Sequence, residues 1–489
     1  MEKSFLDKFL FAIAPQYALR RLRSRYAYEY MSQRLYEGAA SGRRTQGWNA
    51  LSTSQNAENQ ASLGKLRDRA RDLVRNQPFA SRGLQVIVSN TIGYGIRAQI
   101  KSASGRGLEP LKQAWKQWAE TTQCDYDNRL DYYGIQSLVM RTVAESGECL
   151  IVRKRVSSGQ QIIPFKLQIL EPDYIDTLRD DQETTQGIKF DDSGKRVGYW
   201  LWNNHPGDTS GFFKQRSFQS SLVSADDILH VFRVDRPGQM RGPSWYSNSI
   251  GVLHELDEYM DASLMKQKVA ASFAAFVQDI ESTTDIVNNP PLSEKLEPGI
   301  IEILPPGKTV TFANPPTVSE FDPFTRAILR QISSGLGITY ESLSGDYSQV
   351  NFSSGRMGWI EFQRNIDSWR WNMFVPQVCD PISRWFFEGA ELRGIKLNGA
   401  YMVHTPPSRE LIDPTSEINS SISAIRAGIK TLPEAIREMG FDPETHLQEI
   451  ADSNKLLDSL GLILDTDPRK IMKSSGSFQP SQETQSVAQ

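Results

Sequence analysis

His254-Glu255 opens the stretch HELDE inside a run with helical periodicity. A zinc hydrolase would need a second histidine four residues after the first, with a glutamate between them as general base. Position 258 is glutamate, and none of the chain's five histidines is placed to replace the missing ligand. The pair reads as a solvated helix face. Gly307-Lys308-Thr309 has the ending of a phosphate-binding loop, which also requires a glycine at 302 and a helix afterwards. Position 302 is Glu and a β pattern follows, so Pro305-Pro306-Gly307-Lys308 reads as a hairpin turn between Ile300–Leu304 and Thr309–Ala313. Gly93-Tyr94-Gly95 lacks dinucleotide-binding spacing. No Gly-x-Ser-x-Gly is present, and Ser353-Ser354 has no base indicated nearby. Cys124, Cys149 and Cys379 are too scattered for a zinc site or a disulfide framework, which predicts a reducing compartment. Asp346 alone is too little for a cation. The expectation is no enzyme, no metal and no cofactor.

What remains is a polar, glycine-punctuated run, Gly345 to Ser354, leading into a helix crowded with Trp359, Phe362, Trp369, Trp371 and Phe374. Exposed aromatics could stack on single-stranded bases. Trp359, Phe362, Ile366 and Trp369 share one helical face, which favours packing instead.

The elements around this run follow from periodicity and punctuation. Residues 38–64 read as a linker. Leu66, Ala70, Leu73 and Val74 mark a helix that Pro78 interrupts, and a second helix starts at Phe79. A helix over Leu108–Thr121 follows, then a helix over Tyr133–Ala144. Strands are predicted at Glu148–Arg155, Phe165–Ile169, Gly187–Phe190, Val197–Trp202 and Ile228–Arg233. This is an α+β region with an antiparallel sheet. A helix over Ser247–Gln278, about 45 Å long, precedes a Pro/Gly-rich β segment over 279–321 and a shorter helix over Pro323–Leu336. A long helix then runs to about Glu388, with a strand over Lys396–His404. Three C-terminal helices are punctuated by Thr415 and Gly428, by Thr431, Pro433 and Gly440, and by Asp442, Pro443 and Gly461.

The bulk numbers exclude some partners. The chain has 489 residues and a net charge of −3. A protein that grips DNA tightly is basic over a whole face, because affinity comes from neutralised phosphates. Only residues 1–44 are basic, with nine Lys/Arg against four Asp/Glu and a cluster at Arg20, Arg21, Arg23 and Arg25. The first residues read as an amphipathic helix, not a secretory signal. No apolar run is long enough for a transmembrane helix, so no membrane partner is expected.

Three ordered stretches resemble the lambda-type phage portal proteins. The first is RARDLVRNQPFASRGLQVIVSNTIGYGIRAQ. The second is GQMRGPSWYSNSIGVLHELDEYMDASLMKQKVAASFAAFV, with Arg241-Gly242-Pro243, Trp245, Leu256-Asp257, Tyr259, Asp261-Ala262 and Ala270-Ala271. The third is Tyr340-Glu341-x-Leu343, Asp346-Tyr347, Asn351, Ser353-Ser354 and Arg356. The resemblance spans residues 65 to about 450. It implies a portal-type fold with an α/β wing, a two-helix stem, a small β-rich clip and a helical crown. It also implies a ring of about twelve subunits at one capsid vertex, conducting double-stranded DNA in packaging and ejection.

Laid on this chain, the resemblance implies a basic arm and linker over 1–64 and a wing over 65–246. Stem helices over 247–278 and 322–338 flank a clip over 279–321. A tunnel loop over 339–355 leads to a long helix and return strand over 356–405, a crown over 406–464 and a disordered tail over 465–489. The residues implied to face DNA are Asp346, Tyr347, Ser348, Gln349, Asn351, Ser353, Ser354 and Arg356. Asp257, Asp261, Lys266 and Lys268 fall on the stem, and Pro305, Pro306, Gly307 and Lys308 on a docking tip. The implied partners are further copies of the chain, non-specific double-stranded DNA, terminase, the major capsid or scaffold protein, and head–tail connector or adaptor proteins. The implied place is the virion, with assembly in the host cytoplasm. Two other classes stay open here: a non-ring capsid or head-completion protein, and a packaging enzyme, which lacks its Walker or metal motif.

Overall fold

The computed structural model describes residues 52–102, 107–156, 161–208, 219–272, 276–279, 308–311, 321–462 and 464. The chain divides into two units, Met1–Ala57 and Glu58–Gln489. The basic arm with its arginine cluster, and the tail from 465, lie outside the described residues.

Helix α1 (Gln55–Asn76) buries Leu63, Ala70, Leu73 and Val74 on one side. It stops because Pro78 opens α2 (Pro78–Thr91), where Gln77 caps by accepting from the Ala80 N–H at 2.7 Å. Strand β1 (Arg97–Ser102) and helix α3 (Glu109–Ala119) lead to α4 (Tyr132–Ser146), which Asp131 caps. Gly147 ends α4 at φ +92° and turns the chain directly into β2 (Glu148–Arg155).

Strand β2 is buried on both faces and separates two cores. Cys149 and Ile151 point into the large core with α2, α3 and α4, while Leu150 and Val152 point into a smaller one. It pairs antiparallel with β3 (Phe165–Leu170) and β8 (Ile228–Phe232). The smaller core is closed by a four-stranded antiparallel sheet of β4 (Thr184–Thr185), β5 (Ile188–Phe190), β6 (Arg196–Trp202) and β7 (Ser220–Ser224). The fold is α+β, with antiparallel sheets, as the sequence predicts.

A buried ion cluster joins α1, β2, β8 and the loop that enters the next helix. Glu148 is fully buried and accepts from Arg241 Nε at 2.9 Å, Arg67 Nη2 at 3.2 Å and the Gly242 N–H at 3.2 Å; His230 Nε2 lies 2.8 Å away. Burial pushes the Glu148 carboxyl up, but Arg241 and His230 outweigh it and hold it well below the ordinary range. Burial pushes His230 down to about 4, partly offset by its bond to Glu148. The Arg241-Gly242-Pro243 motif has a steric reason as well. A Cβ on Gly242 would sit 2.4 Å from the Gly147 carbonyl oxygen and 2.5 Å from Phe232 Cβ. Gly242→Ala is therefore expected to destabilise the fold by about 1–3 kcal/mol, as overpacking does. Urea unfolding followed by tryptophan fluorescence checks it.

Helix α5 (Ile250–Ser272) packs beside α6 (Phe321–Leu336) through Tyr259, whose ring centroid lies 5.7 Å from Phe321 and 4.7 Å from Phe324. The sequence predicts a helix to Gln278; the described helix runs to Ser272, about 35 Å. Phe276–Asp279 is instead strand β9, paired antiparallel with β10 (Lys308–Thr311). The expected partner of Thr309–Ala313 was Ile300–Leu304; for the described part, 308–311, it is 276–279. Phe276 and Val277 favour a pleated backbone, and cross-strand pairing satisfies it there. Residues 300–304 and Pro305, Pro306 and Gly307 lie outside the described residues.

After the short helix α7 (Tyr340–Ser344) comes a rod: α8 (Phe352–Trp369), a π-helical segment (Arg370–Cys379) and α9 (Asp380–Leu392). Pro376 inside the segment and Pro381 just after it lack N–H donors, and the wider π turn carries the chain past them. Strand β11 (Ala400–Thr405) then returns to β1. Three helices end the described chain: α10 (Pro414–Arg426), α11 (Leu432–Glu438) and α12 (Pro443–Leu460). Asp413, not Thr415, caps α10, because Pro414 takes the first helical position. Thr431 and Asp442 cap the other two as expected.

Candidate functional site

The polar run is shorter than its composition suggests. The expected loop over 339–355 contracts to 345–351. Thr339 caps α7, accepting from the Ser342 N–H at 3.2 Å, and Gly345 ends that helix at φ +73°. At the far side Asn351 caps α8, accepting from the Ser354 N–H at 2.8 Å, while Ser354 Oγ accepts from the Asn351 N–H at 3.2 Å. That reciprocal capping box uses two polar residues that read as loop. Ser353, Ser354 and Arg356 therefore lie in the first turns of α8.

Asp346 is also occupied. It accepts from Tyr340 Oη at 3.1 Å and from the Ser348 N–H at 3.0 Å, and it faces Arg326 at 3.6 Å. Hydrogen bonds from Ser348, first its side chain and then its N–H, hold the carboxyl below the usual range. Of the eight residues placed here by sequence, Tyr347, Ser348 and Gln349 form the exposed tip. Gln349 makes no hydrogen bond within the described residues. Behind the tip, Tyr347, Val350, Phe352, Trp359 and Ile412 line a hollow of about 360 Å³.

The mount is stiff for identifiable reasons. Phe362 and Ile366 are buried. Trp359 meets Phe362 edge-on at 6.1 Å, Phe362 meets Trp369 at 6.4 Å, and Trp369 packs on Trp245 at 4.9 Å. The Arg233 guanidinium lies over Trp245 at 4.8 Å. Asn365 donates to the Gly337 carbonyl at 3.0 Å. Arg370, itself buried, donates to the Thr91 carbonyl at 2.7 Å and the Asn90 carbonyl at 2.8 Å, at the C-terminus of α2. Trp371 is the exception to the packing expectation and is 48% exposed. Asn351→Ala is expected to cost about 1 kcal/mol through loss of the cap, with the loss visible as a lower thermal midpoint and no loss of compactness.

The other residues marked by sequence scatter. Asp257, Asp261, Lys266 and Lys268 are all exposed on α5. Lys308 begins β10, in register with Asp279. His254 and Glu258 form an exposed i,i+4 pair at 3.4 Å, a helix-surface contact. All three cysteines are buried, and burial pushes the Cys124 and Cys379 thiols up to about 12, far from thiolate at neutral pH.

One cluster is not legible in the sequence because His205 lies more than thirty residues from the neighbouring Glu171 and Asp173: their ligand atoms lie within 4.8 Å of one another. Arg71 is already 2.7 Å from Asp173 and 3.2 Å from Glu171, and Arg67 is 3.2 Å from Asp173. Two guanidiniums supply the positive charge a cation would bring.

The described residues bring together a helix–β–helix segment, an antiparallel α+β body and a short polar tip on an aromatic-packed rod. Residues 41–370 match the model of the lambda family of phage portal proteins, and the chain belongs to that family. It is similar to the probable portal protein of Halomonas phage phiHAP-1, 26% identical over 425 residues that cover 81% of each chain. It is also similar to portal protein B of Escherichia phage lambda, 23% identical over 476 residues covering 85% of this chain and 88% of that one. Among solved structures, a chain from the neck of a native gene transfer agent particle, computed with C12 symmetry, aligns with a TM-score of 0.48 at 14% identity, covering 76% of this chain and 94% of that one. An HK97 family phage portal protein from Corynebacterium diphtheriae aligns at 0.33 and 7%, covering 72% and 96%. The chain is a portal protein, a non-enzymatic component of the phage particle. No helix among the described residues is long and apolar enough to cross a membrane.

Proposed function

We propose that copies of this chain close into a ring of about twelve at one capsid vertex, each edge meeting the opposite edge of its neighbour. Double-stranded DNA passes through the centre during packaging and ejection. The tip at Tyr347, Ser348 and Gln349 faces that path, and Asp257, Asp261, Lys266 and Lys268 line it along the stem. The β segment over 279–321 forms the clip that docks terminase and, later, head–tail connector or adaptor proteins. The remaining surface meets the capsid or scaffold protein, with assembly in the host cytoplasm.

The observation that carries the reading of the tip is the contrast between it and its mount. Asp346, Asn351 and Ser354 are tied into turn and cap, the exposed cation Arg356 lies in the first turns of α8, and the tip itself, Tyr347, Ser348 and Gln349, is exposed and uncharged. Uncharged hydroxyl and amide groups touch phosphates transiently, whereas a ring of lysines would hold DNA by releasing its counterions. Negative-stain imaging and native mass measurement test the assembly. A closed ring is the expected result. A protein that stays monomeric across concentration and salt favours a non-ring head-completion role instead.

A further inference from the structure

Helix α10 is amphipathic the wrong way round for a lone subunit. Glu417 and Ser421 line a cleft of about 890 Å³ between α10, α11 and the α8 rod. Ile418 and Ile422, one position on and therefore about 100° around the helix, are 45% and 39% exposed. A surface helix turns its apolar side to its own core; α10 turns Glu417 and Ser421 inward with the half-buried Ala424 and Ile425, leaves Ile418 and Ile422 outside, and buries no residue. Helix α12 repeats the anomaly: Leu456 and Leu460, one turn apart, are 59% and 61% exposed, and only Pro443 of that helix is buried.

We propose that these two apolar rows are the two halves of one contact between copies: Ile418 and Ile422 of one subunit pack against Leu456 and Leu460 of the next. The inference rests on the ring reading above and adds the surface that closes it. Three observations select the occupant. The segment 414–460 buries only Ile436 and Pro443, too little to hold three helices in place, so its cover is permanent rather than transient. A patch this apolar marks a protein contact. The acidic residues of α12, Glu444, Glu449, Asp452 and Asp458 against Lys455, disfavour nucleic acid and anionic lipid. The rows lie on different helices, so the contact is not self-matching. Repeated head to tail, it generates a ring or an open helix rather than a two-fold dimer.

The test uses the full chain. Its own cysteines are buried, so introduced ones are the thiols open to a short bis-maleimide. The double variant Ile422→Cys/Leu456→Cys is expected to give a covalent ladder of dimers, trimers and higher forms on a denaturing gel. Either single variant is expected to give none. Ile418→Gln/Ile422→Gln is expected to keep its circular dichroism, because both positions are exposed in the subunit. Its assemblies should dissociate at a protein concentration more than about tenfold higher than the parent's, from the lost apolar burial. An unmodified protein that forms rings, with no ladder from the double variant and unchanged dissociation of the glutamine variant, overturns the contact and leaves the ring standing. A cross-linked dimer from Ile422→Cys alone, the largest product one open thiol per subunit allows, overturns the head-to-tail pairing. An unmodified protein that is monomeric throughout overturns the ring itself.

Discussion

Phage carrying Gln349→Lys are expected to assemble normal heads and to package DNA slowly at low salt, with the rate recovering as salt rises. Gln349 is exposed and makes no hydrogen bond among the described residues, so the fold should change by less than about 0.5 kcal/mol. In a ring of about twelve the change adds about twelve positive charges around the path. If three of them meet phosphates at once, the added affinity falls roughly forty-fold between 50 and 200 mM salt, at about 0.9 log per contact per log of salt. Gln349→Glu supplies the control: the same size, no added affinity, and no relief by salt. Position 351 is the wrong place for this experiment, because Asn351 holds the α8 cap. A packaging assay on assembled proheads, at two salt concentrations, reads the result. Parental packaging by the lysine variant at low salt means that the tip does not meet the moving DNA.

Arg241→Ala is expected to cost about 3–5 kcal/mol, the largest single loss of stability predicted for this chain. The side chain is buried, and its removal leaves the Glu148 carboxylate enclosed with Arg67, His230 and the Gly242 N–H as its remaining partners. Replacing both ends, Arg241→Met with Glu148→Leu, should cost less than the sum of the two single changes, because the isolated charge is then gone. The same cluster sets a pH dependence. Glu148 is held below its unfolded value of about 4.3, so its contribution is present above that pH and is lost as acid protonates it. His230 is pushed down to about 4. As pH falls from about 6.5 towards 4 the unfolded chain takes up a proton that the folded one refuses, which also lowers stability. The signs agree but the windows differ: His230 should lower the urea midpoint between pH 7 and pH 5, Glu148 only below about 4.3, and His230→Gln should flatten the first part of the curve.

Much of the architecture was legible because it is local. Strand β2 begins and ends at the predicted Glu148 and Arg155, since its apolar run lies between a helix-ending glycine and a charged stretch. Thr431, Asp442 and Gly461 punctuate their helices as cap chemistry requires. The misses share a cause in longer-range pairing or in one residue type serving two purposes. Ser and Asn mark both loops and helix starts, so the polar run Gly345 to Ser354 reads three residues past its end at 351. Phe276 and Val277 fall inside the predicted helix Ser247–Gln278, but a strand that begins 32 residues beyond Phe276 pairs with them. Glu148 and Arg241 are 93 residues apart, and nothing local in either neighbourhood predicts their contact. The exposed rows of α10 and α12 carry the right apolar spacing, but spacing does not tell which way a helix faces.

The rod from Phe352 to Leu392 can be regarded as a beam with one end free and the other built in. A sideways push on Gln349 exerts its greatest bending moment where the beam enters its support. That place is Phe362, the first buried residue of α8; beyond it Asn365, Trp369 and the Arg370 guanidinium hold the beam to its surroundings. A stretch of wider helical turns is more compliant than the α-helix on either side of it, and here that stretch lies wholly beyond the first supports. A load on the tip therefore meets ordinary α-helix before it meets the core.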